Sequence, residues 1–195
     1  MSTYSGFNGS EKDLPLEVLW EDGERVFCRT CYADEGSQQY PRHSEQAGSE
    51  PAASRSGDIL AHEYGLKDYL DSAWALRPLK LLHKSGRTAL TLEFPGGEPL
   101  DRALGVPMEV GKFLGLAIAT SVALRGLHEH GLIHKDIKPS NIVVDLTIGK
   151  AWLTGFGIAS RLRRERQPPE PPEFIAGTLA YMAPEQTGRM NRSID

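Results

Sequence analysis

The sequence predicts an α+β protein with two lobes, the first rich in strands and the second mainly helical. Short apolar runs bounded by turn residues fill the chain before residue 95, and a long helical pattern begins at Lys112. The break Pro95-Gly96-Gly97 separates the two patterns. We therefore expect residues 95–99 to form a hinge between a lobe at 14–94 and a lobe at 100–195.

The composition is that of an ordinary soluble globular protein. Its 195 residues are 39% hydrophobic and 25% charged, and the net charge of -4 gives no reason to expect nucleic-acid binding. The longest apolar stretch, Phe113–Leu127, is interrupted by Gly115 and Arg125, so we expect no membrane insertion. Met1–Ser10 lacks the features of a signal peptide, which favours a cytoplasmic location.

The first lobe is predicted to consist of strands and one helix, after a disordered N-terminus at residues 1–13. The helix is expected to begin at Asp58, a suitable N-cap, and to end at Leu70. Residues 33–57 are rich in Gly, Ser, Gln and Glu, which predicts a mobile connection with at most a weak strand. The strands are predicted at Leu16–Trp20, Arg25–Tyr32, Ala75–Leu82 and Thr88–Phe94.

The second lobe is predicted to contain a helix over Lys112–His130, which Gly131 ends. Two short strands are expected at Ile142–Val144 and Ala151–Leu153. The apolar residues that recur at helical spacing predict one buried face, formed by Phe113, Leu116, Ala117, Thr120, Leu124 and Leu127.

Two cysteines, Cys28 and Cys31, have C-x-x-C spacing. A zinc site needs a second pair of ligands, and a thioredoxin-like motif opens a helix, whereas this pair lies in a predicted strand. We interpret both as ordinary strand residues.

The strongest chemical signal is the run His134-Lys135-Asp136-Ile137-Lys138-Pro139-Ser140-Asn141. It puts a carboxylate, a cation and an amide on one short loop, the groups required at a substrate hydroxyl, a transferring phosphoryl group and a magnesium ion. The run resembles the catalytic loop of eukaryotic-type Ser/Thr protein kinases. The resemblance implies that Asp136 is the base, Lys138 neutralises charge, Asn141 binds metal, and ATP and Mg²⁺ are the cofactors.

A second run, Gly177–Glu185, is similar to the end of a kinase activation segment, with Ala183-Pro184-Glu185 as its A-P-E motif. The resemblance implies that Thr178 hydrogen-bonds toward Asp136 and Lys138. It also implies the two-lobed protein-kinase fold, with the second lobe incomplete.

A third run, Thr154-Gly155-Phe156-Gly157, lies where the family has Asp-Phe-Gly. Gly155 replaces the metal-binding Asp and offers no oxygen ligand. The loss of one preorganised electrostatic group of this kind commonly lowers the rate by roughly 10²–10³.

The first lobe departs further from the family pattern. Glu21–Val26 contains one glycine where the family has a glycine-rich loop, and no lysine occurs between residues 32 and 58. The resemblance identifies Glu63 as the helix glutamate that such a lysine would pair with. Arg25 or Arg29 is the alternative partner.

The segment Leu92–Glu98 resembles the kinase hinge, where a backbone N–H binds adenine, but Pro95 has no N–H to donate. The other cofactor-binding groups that the resemblance implies are the Glu93 carbonyl for adenine, Glu98 for ribose, and Val26 and Val143 flanking adenine.

The end of the chain, Gly177–Asp195, resembles a bacterial group in which a kinase-like domain heads a multidomain sensor histidine kinase. The helices that follow the A-P-E motif in kinases are not found after Glu185, so we expect a truncated lobe with exposed apolar surface on the Lys112–His130 helix.

Three hypotheses follow. The chain is a Ser/Thr protein kinase acting on a protein substrate, a pseudokinase module that binds a signalling partner, or an inactive truncated remnant.

Overall fold

The computed structural model describes residues 16–21, 25–32, 40–47, 53–84, 87–161 and 177–187. The chain forms two compact units. The first comprises Met1–Lys67 and Leu76–Gly96, and the second comprises Asp68–Ala75 and Gly97–Asp195. The chain thus passes from the first unit to the second between Gly96 and Gly97, inside the segment predicted as a hinge. The predicted disordered N-terminus, 1–13, lies outside the described residues.

The first unit is built on a five-stranded antiparallel sheet with the order β1-β2-β3-β5-β4. One helix, α1 (Ala53–Gly65), packs against β4 and β5. The strands are β1 (Leu16–Glu21), β2 (Arg25–Tyr32), β3 (Tyr40–Ala47), β4 (Pro78–Lys84) and β5 (Arg87–Glu93).

Strand β3 corrects the prediction of at most a weak strand in residues 33–57. It pairs with β2 from Arg25↔Ala47 to Tyr32↔Tyr40, and with β5 on its other edge. Its sequence, YPRHSEQA, has no apolar alternation to reveal it. A central strand is stabilised by backbone hydrogen bonds on both edges, and such tertiary pairing overrides weak strand propensity.

Helix α1 begins and ends five residues earlier than the predicted Asp58–Leu70. Asp58 therefore lies inside the helix and does not cap it. Gly57 lies where the helix approaches β5, since a Cβ there would be 3.1 Å from Oγ1 of Thr88. Leu60 lies on the inner face and is completely buried.

The second unit combines one long helix, α2 (Val110–Glu129), with short strands. The predicted strands at 142–144 and 151–153 are confirmed, and three further two-residue strands were too short to predict. The strands are β6 (Glu98–Pro99), β7 (Leu132–Ile133), β8 (Ile142–Asp145), β9 (Lys150–Leu153) and β10 (Ser160–Arg161). They pair as β6-β8-β9 and β10-β7.

Helix α2 is capped at both ends. The Glu109 carboxylate accepts hydrogen bonds from the backbone N–H groups of Gly111 and Lys112, at 2.8 and 3.0 Å. These bonds hold the pKa of Glu109 below its ordinary value. Gly131 adopts a left-handed conformation with φ of 69° just after the helix, as the predicted stop requires.

The buried face of α2 differs from the predicted one. Phe113 is 58% exposed and Ala117 is also exposed. The residues that are buried are Leu116, Ala119, Ala123 and Leu127. Two of these four are alanines, whose small side chains let β9 approach closely but add little to a hydrophobic pattern. Large apolar side chains, including Phe113, Ile118 and Val122, remain on the outer face.

Helix α2 is also long and apolar enough to cross a membrane by length and composition, with a mean hydropathy of 1.4. The prediction that no segment reaches this limit is therefore wrong. The core helix of a soluble protein can meet the same criterion, but such a helix is mostly buried, whereas 17% of this stretch of α2 is buried.

Trp74 organises the core of the second unit. Its carbonyl accepts a hydrogen bond from Leu153 N at 2.8 Å, which attaches residues 68–75 to β9. Its ring packs edge-on against Phe156, with centroids 6.3 Å apart. The ring also lies on Gly126 of α2, where an added Cβ would be 2.4 Å from Trp74 Cδ1. Helix and ring therefore meet at a position that accepts only glycine.

This contact predicts opposite effects for two glycines of α2. Gly126→Ala should destabilise the fold, because overpacking costs about 1–3 kcal/mol. Gly115→Ala is the matched control, since nothing lies within 4 Å of a Cβ there. It should stabilise the protein by about 0.5–1 kcal/mol through helix propensity. Urea unfolding measures both, and equal effects would contradict the Trp74 contact.

Candidate active site

The loop that carries the predicted catalytic residues connects β7 to β8. Lys135 has a φ of 69° and is the sole residue other than glycine with positive φ in the described ranges. A 3₁₀ turn at Pro139–Asn141 follows, with Pro139 at its start, where a missing N–H costs no hydrogen bond. The turn brings Asn141 back beside Asp136.

The Asp136 carboxylate is the centre of the site. Oδ1 accepts hydrogen bonds from the backbone N–H and the hydroxyl of Thr178, at 2.9 and 2.8 Å. Oδ2 accepts from Nδ2 of Asn141 at 2.9 Å and lies 3.2 Å from Nζ of Lys138. Lys138 Nζ also donates to Oγ1 of Thr178 at 3.0 Å. The structure therefore brings all four predicted catalytic residues together.

Burial of Asp136 would by itself raise the pKa of its carboxyl. The hydrogen bonds from Thr178 and the charge of Lys138 outweigh that effect, so the pKa of Asp136 lies below its ordinary value. The group is an ionised carboxylate at neutral pH. Because each oxygen already has two donors, a substrate hydroxyl could reach it only by displacing one of them.

His134 connects this loop to the Thr154–Gly157 segment. Its Nε2 donates to the Thr154 carbonyl at 2.9 Å, and its Nδ1 accepts from the Asp136 N–H at 3.3 Å. Its ring lies 4.8 Å from that of Phe156. Burial lowers the pKa of His134 to about 4, so the ring is neutral near pH 7. A neutral ring is what lets Nδ1 accept the Asp136 N–H.

The residues around Gly155 do not fit a magnesium ion. Gly155 adopts φ of 77° and ψ of 44° and has no oxygen side chain. A Cβ there would be 2.6 Å from Oδ1 of Asn141, so the amide occupies the space beside this glycine. Nδ2 of Asn141 bonds the carbonyl and Oδ2 of Asp136. One crowded amide oxygen is a poor substitute for the carboxylates that magnesium prefers.

The residues predicted to bind the nucleotide lie in both units. In the first unit, Val26 is buried in β2, Glu63 is completely buried in α1, and Glu93 ends β5. The Glu93 carboxylate lies 4.0 Å from the Arg77 guanidinium at the surface. Strand β3, where the family has its lysine, contains none.

In the second unit, Val143 is completely buried in β8 and Glu98 is exposed in β6. Glu98 pairs with Val144 in the β6–β8 register. Gly97 makes this pairing possible, because a Cβ there would be 2.5 Å from the Val144 carbonyl oxygen. The end of the hinge segment is therefore held closely against β8.

Comparison with known families matches residues 47–194 to the protein kinase domain. This chain belongs to the protein kinase domain family. The predicted family and the α+β two-lobed kinase fold are confirmed. Members of the family use ATP and a divalent metal to phosphorylate proteins.

Bacterial Ser/Thr kinases are among the relatives. The chain is 35% identical over 147 residues to the serine/threonine-protein kinase Pkn1 of Myxococcus xanthus, which covers 74% of this chain and 19% of Pkn1. It is 36% identical over 108 residues to PknA of Mycobacterium tuberculosis, covering 54% of this chain and 24% of PknA. A DNA damage-responsive kinase of Deinococcus radiodurans, RqkA, is 35% identical over 107 residues, covering 53% of this chain and 16% of RqkA. The chain thus spans under a quarter of each relative's length.

Sequence reasoning missed one residue that contacts the catalytic loop. Gln186 follows the A-P-E motif directly, and its Nε2 donates to the Lys135 carbonyl at 2.6 Å. The signal available was an amide next to a recognised motif, which by itself indicates no partner.

The resemblance to sensor histidine kinases stays a prediction.

The buried neutral His134 predicts a pH dependence of stability. Its folded pKa is about 4, below the ordinary 6.5, so the unfolded chain binds more protons between these values. The free energy of unfolding should have its full value above about pH 6.5 and should fall as the pH drops toward 4. His134→Gln should reduce this loss, and the exposed His128→Gln should not. Denaturant unfolding across this pH range is the measurement, and an unchanged slope in His134→Gln would contradict the assignment.

Proposed function

We propose that this kinase domain serves as a signalling module that binds a protein partner and does not carry out magnesium-dependent phosphoryl transfer. The observation that carries the proposal is the Gly155–Asn141 contact. The metal-binding carboxylate is missing, and the one remaining ligand of the set is packed into its place. Phosphoryl transfer depends on metal ions that neutralise charge on the phosphates, so a site without them loses its main source of rate.

Features of the first unit support the same proposal. Strand β3 contains no lysine, and Pro95 provides no N–H for adenine. Each loss weakens a different contact with the nucleotide. Together they favour weak ATP binding that magnesium does not improve.

Ser/Thr phosphoryl transfer to a protein is the second candidate function. The assembled Asp136 carboxylate favours it, because Thr178, Lys138 and Asn141 all contact it at 3.2 Å or less. The same contacts also serve a purely structural role, since they hold the activation-segment end against the catalytic loop. ATP with Mg²⁺ would be the cofactors in that case.

The partner in either case is a protein, and we propose a cytoplasmic location, without membrane insertion or nucleic-acid binding. Exposed apolar side chains at the end of the activation segment, Leu179 and Tyr181, offer contact area for such a partner. The net charge of -4 gives no reason to expect nucleic-acid binding.

ATP binding by the purified protein, measured by calorimetry with and without Mg²⁺, separates the two functions. We expect weak or undetectable binding that Mg²⁺ leaves unchanged. Binding that Mg²⁺ strengthens, together with phosphorylation of a Ser/Thr peptide that Asp136→Asn abolishes, would overturn the proposal in favour of catalysis.

A pair of variants at Gly155 tests whether the missing carboxylate is the cause of the weak Mg²⁺-dependent ATP binding. Gly155→Asp and Gly155→Ala both add a Cβ against Asn141 at a positive φ, so both should lose similar stability. The aspartate alone also adds a carboxylate. We expect Mg²⁺-dependent ATP binding to be stronger in Gly155→Asp than in Gly155→Ala. Equal binding would mean that the missing carboxylate is not the limiting defect.

A further inference from the structure

The backbone carbonyl of Lys135 is a point of contact between the catalytic loop and the 177–187 segment. Lys135 has a left-handed backbone with φ of 69°, a conformation that is strained for a residue with a side chain. It directly precedes Asp136. A relaxation of this backbone would therefore rotate the peptide that carries the central carboxylate.

Gln186 binds this carbonyl. Its side-chain Nε2 donates to Lys135 O at 2.6 Å, and its Oε1 accepts from the Ala183 N–H at 3.1 Å. Its own backbone N–H donates to the Ala183 carbonyl at 3.0 Å, which closes the turn around Pro184. Gln186 is 8% exposed, so these bonds form where water competes little.

Gly177 reaches the same carbonyl from the other end of the segment. A Cβ at Gly177 would be 2.9 Å from Lys135 O, and its φ of 122° is one that other residues rarely adopt. Its neighbour Thr178 donates two hydrogen bonds to Asp136. Gly177 and Gln186, near the two ends of the 177–187 segment, thus both meet the Lys135 carbonyl, and Thr178 binds the adjacent Asp136.

We infer that Gln186 is a positioning residue: by bonding the Lys135 carbonyl, it keeps the backbone before Asp136 in its strained form and the segment in register, so that Thr178 meets the carboxylate. The side chain is suited to this role, because its amide carries a donor for Lys135 and an acceptor for Ala183 at once. A glutamate of the same shape would oppose an oxygen to the Lys135 oxygen. This role needs neither nucleotide nor metal, so it does not depend on the proposed function.

Hydrogen exchange on the whole 195-residue chain tests the inference. In Gln186→Ala, the Thr178 amide should exchange about fivefold faster, as expected for one lost hydrogen bond, while the Leu127 amide in α2 changes little. Gln186→Glu keeps the volume and should act in the same way. Thr187→Ala is the control, since its hydroxyl donates to the Pro184 carbonyl within the turn. Unchanged Thr178 exchange in both Gln186 variants would overturn the inference.

A double-mutant comparison separates this role from general packing. Glycine adopts a left-handed backbone without strain, so Lys135→Gly should need less support from Gln186. We expect Gln186→Ala to accelerate Thr178 exchange less in the Lys135→Gly background than in the wild type. The same acceleration in both backgrounds would mean that Gln186 does not act through the Lys135 backbone.

Discussion

The hydrogen bonds around the Asp136 carboxylate are the interaction on which the second unit's functional geometry depends. Thr178 lies far along the chain from the loop, yet it provides two of the donors, at 2.8 and 2.9 Å. A buried carboxylate is stable only when donors replace the water that it loses. The activation-segment end and the Asp136 carboxylate therefore stabilise each other, because Thr178 provides donors that the buried carboxylate needs.

This polar centre rests on an apolar layer. His134 is neutral because it is buried, and its two ring nitrogens then bond Asp136 N–H and the Thr154 carbonyl. Phe156 packs against His134 on one side and Trp74 on another. Trp74 in turn meets α2 at Gly126. The position of the catalytic loop thus follows from close packing between a helix, an indole ring and a histidine, and the loop motif alone does not specify it.

The sequence predicted what is local and missed what is tertiary. The loop run from His134 to Asn141 carries its polar groups in consecutive residues, so its contact with Thr178 could be expected. Strand β3 could not, because its polar side chains give no pattern and its backbone pairs on both edges. The buried stripe of α2 was misjudged for a similar reason, since Ala119 and Ala123 are buried by the approach of neighbours. Gln186 had a recognisable place in the chain but no recognisable partner.

Gly155 and Asn141 show why a substituted motif changes more than one residue. A side chain at 155 would meet the Asn141 amide at 2.6 Å, so the present position of that amide is possible only because 155 is glycine. Asn141 in turn uses its Nδ2 on the carbonyl and the carboxylate of Asp136, at 2.8 and 2.9 Å. With glycine at position 155, the Asn141 amide packs beside the backbone there and hydrogen-bonds Asp136. Because the Asn141 amide hydrogen-bonds Asp136, it stabilises the loop without metal. This contact supports the proposal of a binding module over that of a catalytic domain.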